Sequence, residues 1–152
     1  MLQPNKTYTV RLIEMEQPKG KNMRTLVLAI DSEKEIHRGV SFFFDNPQQA
    51  ITPLEIWARN IVQQTESEKQ VPTLGNLEYE QKVEGKHQGK DIKELTVQKL
   101  IKLLDEFADG KTTIKATYQR KYSAHHKRYF NNMVPYQEEE PEKDESIVSL
   151  VK

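Results

Sequence analysis

Residues 7–15 read TYTVRLIEM, and after the turn segment QPKGKN (residues 17–22) the chain continues RTLVLAID at residues 24–31. In the first stretch Tyr8, Val10 and Leu12 alternate with Thr9, Arg11 and Ile13, a period of two that gives a strand with one buried and one partly polar face. In the second, Leu26, Leu28 and Ile30 alternate with Thr25, Val27 and Ala29. Proline and glycine lie between them, so the pair reads as a hairpin. Residues 35–45 (EIHRGVSFFFD) add a third strand in which Gly39 permits a bulge or sharp bend. The amino-terminal third is therefore a three-stranded meander.

Outward from this meander the periodicity changes. Thr52, Pro53 and Glu55 stand in the order cap, first helical residue and capping-box acid, and Leu54, Trp57, Ala58, Ile61 and Val62 then share one stripe. That predicts a helix starting at Thr52 with Trp57 in the core. A second helix is predicted over Thr96–Ala108, where Val97, Leu100, Ile101, Leu104 and Phe107 keep helical spacing and Gly110 ends the run. Between the helices residues 65–95 are polar and turn-rich, an inserted lobe with one short strand expected at Leu77–Val83. Thr112–Tyr122 and Lys127–Tyr136 read as a closing hairpin with SAHH at its tip. Three strands, helical material and two more strands predict a β-rich α+β fold: a five-stranded OB-fold-like barrel with two helices and an inserted lobe.

With 152 residues, 30% charged and 36% apolar, there is material for one core. We expect one domain over residues 1–136 and a disordered acidic tail over 137–152. The absence of cysteine excludes disulfides, thiolate zinc sites and cysteine nucleophiles. The start, MLQPNKTYTV, lacks a charged segment followed by an apolar run, so a cytoplasmic protein without membrane contact is expected. The zero net charge hides an asymmetry. Residues 137–152 carry −4 and residues 1–136 carry +4, and Lys111–Tyr136 contains six bases and no acid. Such a basic stretch points to a polyanion.

The same stretch, TTIKATYQRKYSAHHKRYFNNMVPY, interleaves Lys115, Arg120, Lys121, Lys127 and Arg128 with aromatic residues. Cations neutralise phosphates and release counterions, whereas aromatic faces stack on unpaired bases, so the mixture favours single strands over duplex. The alternative is a solvated hairpin whose aromatics fill the barrel. Strand parity puts Tyr118 with Ile114 and Ala116, toward the core, and leaves Tyr122 and Tyr129 as the stacking candidates; Phe130 is expected to be buried. In the triplet Phe42, Phe43 and Phe44 only Phe43 is expected on the outer face, as a second base platform, or else as a side chain covered by the lobe. Arg11, Arg24 and Arg38 lie on or beside that sheet as phosphate candidates.

Enzyme chemistry finds little footing. His37, His87, His125 and His126 lack metal-ligand spacing, and neither a phosphate-cradling GxxxxGK[ST] loop nor a GxSxG turn occurs. A magnesium nuclease built on Glu80, Lys82 and either Asp45 or Asp31 is the one enzyme alternative, and such triplets arise by chance in so charged a chain. No catalytic residue, metal or cofactor is expected.

The order of strands, the basic aromatic hairpin and the acidic tail resemble single-stranded DNA-binding proteins, in particular those of phages and mobile elements. The resemblance implies non-sequence-specific protection of exposed single strands in replication or recombination, with homo-oligomerisation possible. It also implies that the tail serves replication or recombination proteins: Glu138, Glu139 and Glu140, then Asp144 and Glu145, supply charge, and Ile147, Val148 and Leu150 supply an apolar end. The tail departs from that pattern by ending SLVK instead of in a proline and an aromatic. The competing class is a protein-interaction module, a phage inhibitor or accessory subunit using the basic hairpin or the tail.

Tethering places the six acids of the tail at high effective concentration near the basic hairpin, where they compete with a polyanion. Removal of residues 137–152 is therefore expected to raise affinity for single-stranded oligonucleotides at low salt, with a gain that shrinks as salt screens the attraction. Identical binding curves for full-length and truncated protein across a salt series would exclude the competition.

Overall fold

The computed structural model describes residues 2–136. Strands β1 (Lys6–Glu16), β2 (Met23–Ile30) and β3 (Glu35–Phe43) form the expected antiparallel meander, with Gly20 at φ +76 in the first turn. Helices α1 (Pro47–Gln64), α2 (Leu74–Lys82) and α3 (Ile92–Phe107) follow, and β4 (Thr113–Ser123) and β5 (Arg128–Pro135) close the chain. The sheet order is β3-β2-β1-β4-β5, all antiparallel. This is an α+β, OB-like half-barrel, as the sequence predicts.

The curl originates in β1. Its second half, Arg11–Glu16, pairs with β2, and its first half, Lys6–Arg11, pairs with β4. Arg11 is the hand-over residue, opposite Ala29 on one side and Thr113 on the other. Such an offset between neighbouring ladders is the stagger that closes a sheet toward a barrel. Two irregularities sharpen it: β1 carries an extra residue at Ile13, and β3 carries one between His37 and Val40, the stretch containing Gly39.

The inner face holds Tyr8, Val10 and Leu12 of β1, Leu26, Leu28 and Ile30 of β2, Val40 and Phe42 of β3, Ile114 and Ala116 of β4, and Met133 of β5. Helices α1 and α3 cover it. Leu54, Ala58 and Ile61 of α1 meet Leu100 and Leu104 of α3 in the same cluster, and Trp57 is buried there as expected. Burial of each such side chain contributes about 1.5–3 kcal/mol, so this cluster dominates the stability. Strand β2 is covered on both faces, since Thr25, Val27 and Ala29 are buried too.

Three sequence expectations need correction. α1 starts five residues before Thr52: Asn46 is the cap, its side chain accepting from the Gln48 amide at 3.1 Å, with Pro47 in the first turn and Pro53 inside the helix. Two cap-plus-proline pairs compete here, and the earlier one wins because Ala50 and Ile51 extend the buried stripe. Pro53 removes one amide, whose helical partner would be the carbonyl of Gln49, an exposed residue. α3 also starts early, at an Asp91 cap whose carboxylate accepts from Lys93 and Glu94. Finally, Leu77–Val83 is not a strand. Thr73 caps α2 by accepting from the Asn76 amide at 3.1 Å, and the helix lies against α3 with Leu77 buried. The alternation of Leu77, Tyr79 and Gln81 concealed a helix that buries one residue. The described residues thus hold three α-helices where two were expected.

One side chain closes the seam between helices and sheet. Gln64, the last residue of α1, accepts from the Lys115 amide at 2.6 Å and donates to the Lys115 carbonyl at 3.0 Å and the Tyr136 carbonyl at 3.4 Å. The Tyr136 amide still donates to the Lys115 carbonyl at 2.9 Å, and the Gln64 carboxamide bridges the other half of that pair, between the Lys115 amide and the Tyr136 carbonyl, where β5 ends. Gln64→Ala is expected to cost about 1 kcal/mol, because three bonds are lost at a site water can reach. Gln64→Glu should be no better, since a carboxylate cannot donate to the two carbonyls. Chemical denaturation measures both, and wild-type midpoints for the two variants would deny Gln64 this role.

Candidate nucleic-acid interface

β1 ends at Lys6, opposite Tyr118, yet β4 runs on to Ser123. From Gln119 onward β4 pairs with β5 alone, through Gln119–Asn132, Arg120–Asn131, Lys121–Phe130, Tyr122–Tyr129 and Ser123–Arg128. This is a two-stranded arm extending beyond the pairing of the barrel. Apart from Ser123, every residue from Arg120 to Asn132 is exposed. Six of the residues predicted as nucleic-acid ligands gather on it: Arg120, Lys121, Tyr122, Lys127, Arg128 and Tyr129.

Register fixes which side each side chain takes. Tyr118 and Met133 are a cross-strand pair facing the core, so alternation puts Arg120, Tyr122, Tyr129 and Asn131 on the continuation of that inner face. The Arg120 guanidinium lies 4.5 Å from the centre of the Tyr129 ring, and the Tyr122 and Tyr129 rings meet edge to face at 5.2 Å. The opposite face carries Gln119, Lys121, Arg128, Phe130 and Asn132. There the Arg128 guanidinium is 4.7 Å from the Phe130 ring, and His126 approaches the same ring edge-on at 5.3 Å. Tyr122 and Tyr129 are 56% and 57% exposed, as expected of rings beyond the core.

Phe130 departs from expectation. At 36% exposure it lies on the outer face of the arm and not in the barrel. Its separation of three residues from inward-facing Met133, and its pairing with Lys121, put it on the opposite face of β5. The tip also differs from SAHH: residues 124–127 form the turn, and Lys127 adopts φ +56. A lysine there holds a conformation that glycine or asparagine takes more cheaply.

The predicted residues outside the arm are distributed differently. Lys115 lies with Thr7, Tyr8, Thr9 and Tyr136 around a shallow groove of about 340 Å³ at the root of β5. Sequence reasoning did not single out Thr7 and Thr9 here, although both alternate onto the outer face of β1. Phe43 is exposed on the last residue of β3, as expected, whereas Phe42 is buried. Arg24 is half-buried opposite Phe42, and Arg38 lies 3.6 Å from the Glu16 carboxylate. Arg11 is engaged most fully. Its Nε and Nη2 donate to both carboxylate oxygens of Asp31 at 3.0 Å, and its Nη1 donates to the Gly110 carbonyl at 3.0 Å. These bonds raise the Arg11 pKa and lower that of Asp31. These bonds use three of the five guanidinium N–H donors and hold Arg11 to Asp31 and to the turn after α3. The acids and apolar residues of the tail lie outside the described residues. The Glu80-Gln81-Lys82 triplet falls on α2, where Glu80 bonds His87 at 2.7 Å.

At the root of the arm two polar atoms are buried without a partner among the described residues, Nε2 of His37 and Oε1 of Gln119. His37 faces inward from β3, edge-on to Tyr118 at 5.9 Å. Burial lowers its pKa below the usual 6.5, against a smaller opposing pull from Glu35. The folded state therefore resists a proton that the unfolded chain accepts, so stability is full above about pH 6.5 and falls as the pH drops below it. His37→Phe is expected to flatten this part of a melting-temperature profile between pH 7.5 and 5.5; parallel profiles for the two proteins would assign the acid sensitivity elsewhere. Comparison of the chain with protein-family models, curated proteins and solved structures finds no match.

Proposed function

We propose that this protein binds single-stranded DNA without sequence preference, through the β4–β5 arm, and protects exposed strands during replication or recombination. The observation that carries the reading is the arm itself: exposed Tyr122 and Tyr129, guanidinium groups beside aromatic rings, and a run of six bases without an acid from Lys111 to Tyr136. Ring faces suit bases of any identity, and the cations suit the phosphates between them. Duplex DNA offers no unpaired base faces, so it satisfies only the charge. Lys115 extends the basic track to the barrel, and Phe43 is a separate platform on β3. The OB-like half-barrel is consistent with this use, since folds of this type hold oligonucleotides on the sheet and its hairpin loops.

Tyr122→Ala or Tyr129→Ala is expected to weaken single-strand binding by about 1–3 kcal/mol, with little change in melting temperature, because neither ring belongs to the core. Lys121→Ala should instead flatten the salt dependence, which we expect near −0.7 per phosphate contact. Fluorescence titrations with labelled single- and double-stranded oligonucleotides at several salt concentrations test both. Equal affinity for duplex and single strand, or none for either at low salt, would overturn the proposal and favour an acidic protein as the partner of the arm.

A further inference from the structure

The two faces of the arm carry the same chemistry. On the inner side a cation, two tyrosines and an amide stand together as Arg120, Tyr122, Tyr129 and Asn131; on the outer side two cations, one ring and an amide do so as Lys121, Arg128, Phe130 and Asn132. Each side has its own guanidinium against its own ring, 4.5 Å for Arg120 with Tyr129 and 4.7 Å for Arg128 with Phe130. A hairpin that served one ligand surface would need this on one side only. Ribbons exposed on both faces ordinarily carry small polar or charged residues there, because two-sided apolar exposure invites association.

We infer that the arm holds a separate single strand on each face, so that one molecule bridges two strands and promotes their annealing. The inference rests on the proposed single-strand binding. Backbone and paired strands separate the two sites, so an oligonucleotide too short to wrap the edge of the ribbon reaches only one of them. Positive charge on both sides, with no acid between Lys111 and Tyr136, offsets the repulsion between two phosphate chains brought close together. Two complementary strands held on one narrow ribbon meet at raised effective concentration, which is the condition that speeds pairing.

The test uses the full chain. Native mass spectrometry with two short oligothymidylates of different length should record one protein chain carrying both. The double variant Arg120→Ala with Tyr129→Ala and the double variant Arg128→Ala with Phe130→Ala should each retain one strand per chain. Both should also lose the acceleration of annealing that wild type gives a complementary labelled pair in an energy-transfer assay. The charge reversals Arg120→Glu and Lys121→Glu repeat the comparison without removing a ring, should an alanine variant disturb the hairpin. A ceiling of one strand per wild-type chain at saturation, or undiminished annealing by both single-face variants, overturns bridging and leaves single-strand binding intact. Absence of any bound strand overturns the underlying reading as well.

Discussion

The structure depends on the divided pairing of β1. One eleven-residue strand serves β2 with its second half and β4 with its first, changing partners at Arg11. Because the two ladders are offset, the sheet curls and its inner face becomes a cup that α1 and α3 fill. The same offset exhausts β1 at Lys6, so β4 must continue with β5 as its only neighbour. Curl, core and projecting arm are thus three results of one register. The Arg11–Asp31 pair stands at the change of partner and, through the Gly110 carbonyl, ties it to the turn that delivers β4.

Burial follows from that geometry. The core stops at Met133 and Tyr118, and beyond them the hairpin presents rings to solvent on both sides. Its cross-strand pairs, including Tyr122 with Tyr129, contribute about 0.2–1 kcal/mol each, far less than the cluster under α1 and α3. An isolated hairpin is marginal in water. The arm is held by its continuity with a stable barrel wall, and its outer pairs open at lower free energy than the strands below them.

Much of this was legible in the sequence. Alternation of apolar and polar residues gave the five strands to within a residue or two, because one face of each is buried against helices. The buried stripe of α3 was equally plain, since Val97, Leu100, Leu104 and Phe107 point one way. The start of α1 was misplaced because Thr52-Pro53 satisfies local capping rules as well as Asn46-Pro47 does, and only tertiary burial of Ala50 and Ile51 decides between them. α2 escaped because a short helix that buries Leu77 alone leaves almost no periodic trace. In the arm, the exposure of Tyr122 and Tyr129 agrees with the sequence reading, whereas that of Phe130 does not: which face of β5 continues the core is set by the pairing of Met133 with Tyr118, and Phe130 lies on the other face. Arg11 looked like a surface cation because its partner, Asp31, lies twenty residues away and meets it only through the hairpin.

The point at which the core ends, at Met133, has an evolutionary consequence. Residues on the barrel side of that boundary are constrained by packing, where the loss of a few methylene groups costs kilocalories. Those beyond it answer only to the twist of a two-stranded ribbon and to whatever they touch. Substitutions there leave the packing of the core untouched, so the sequence of the arm is free to change faster than that of the barrel beneath it.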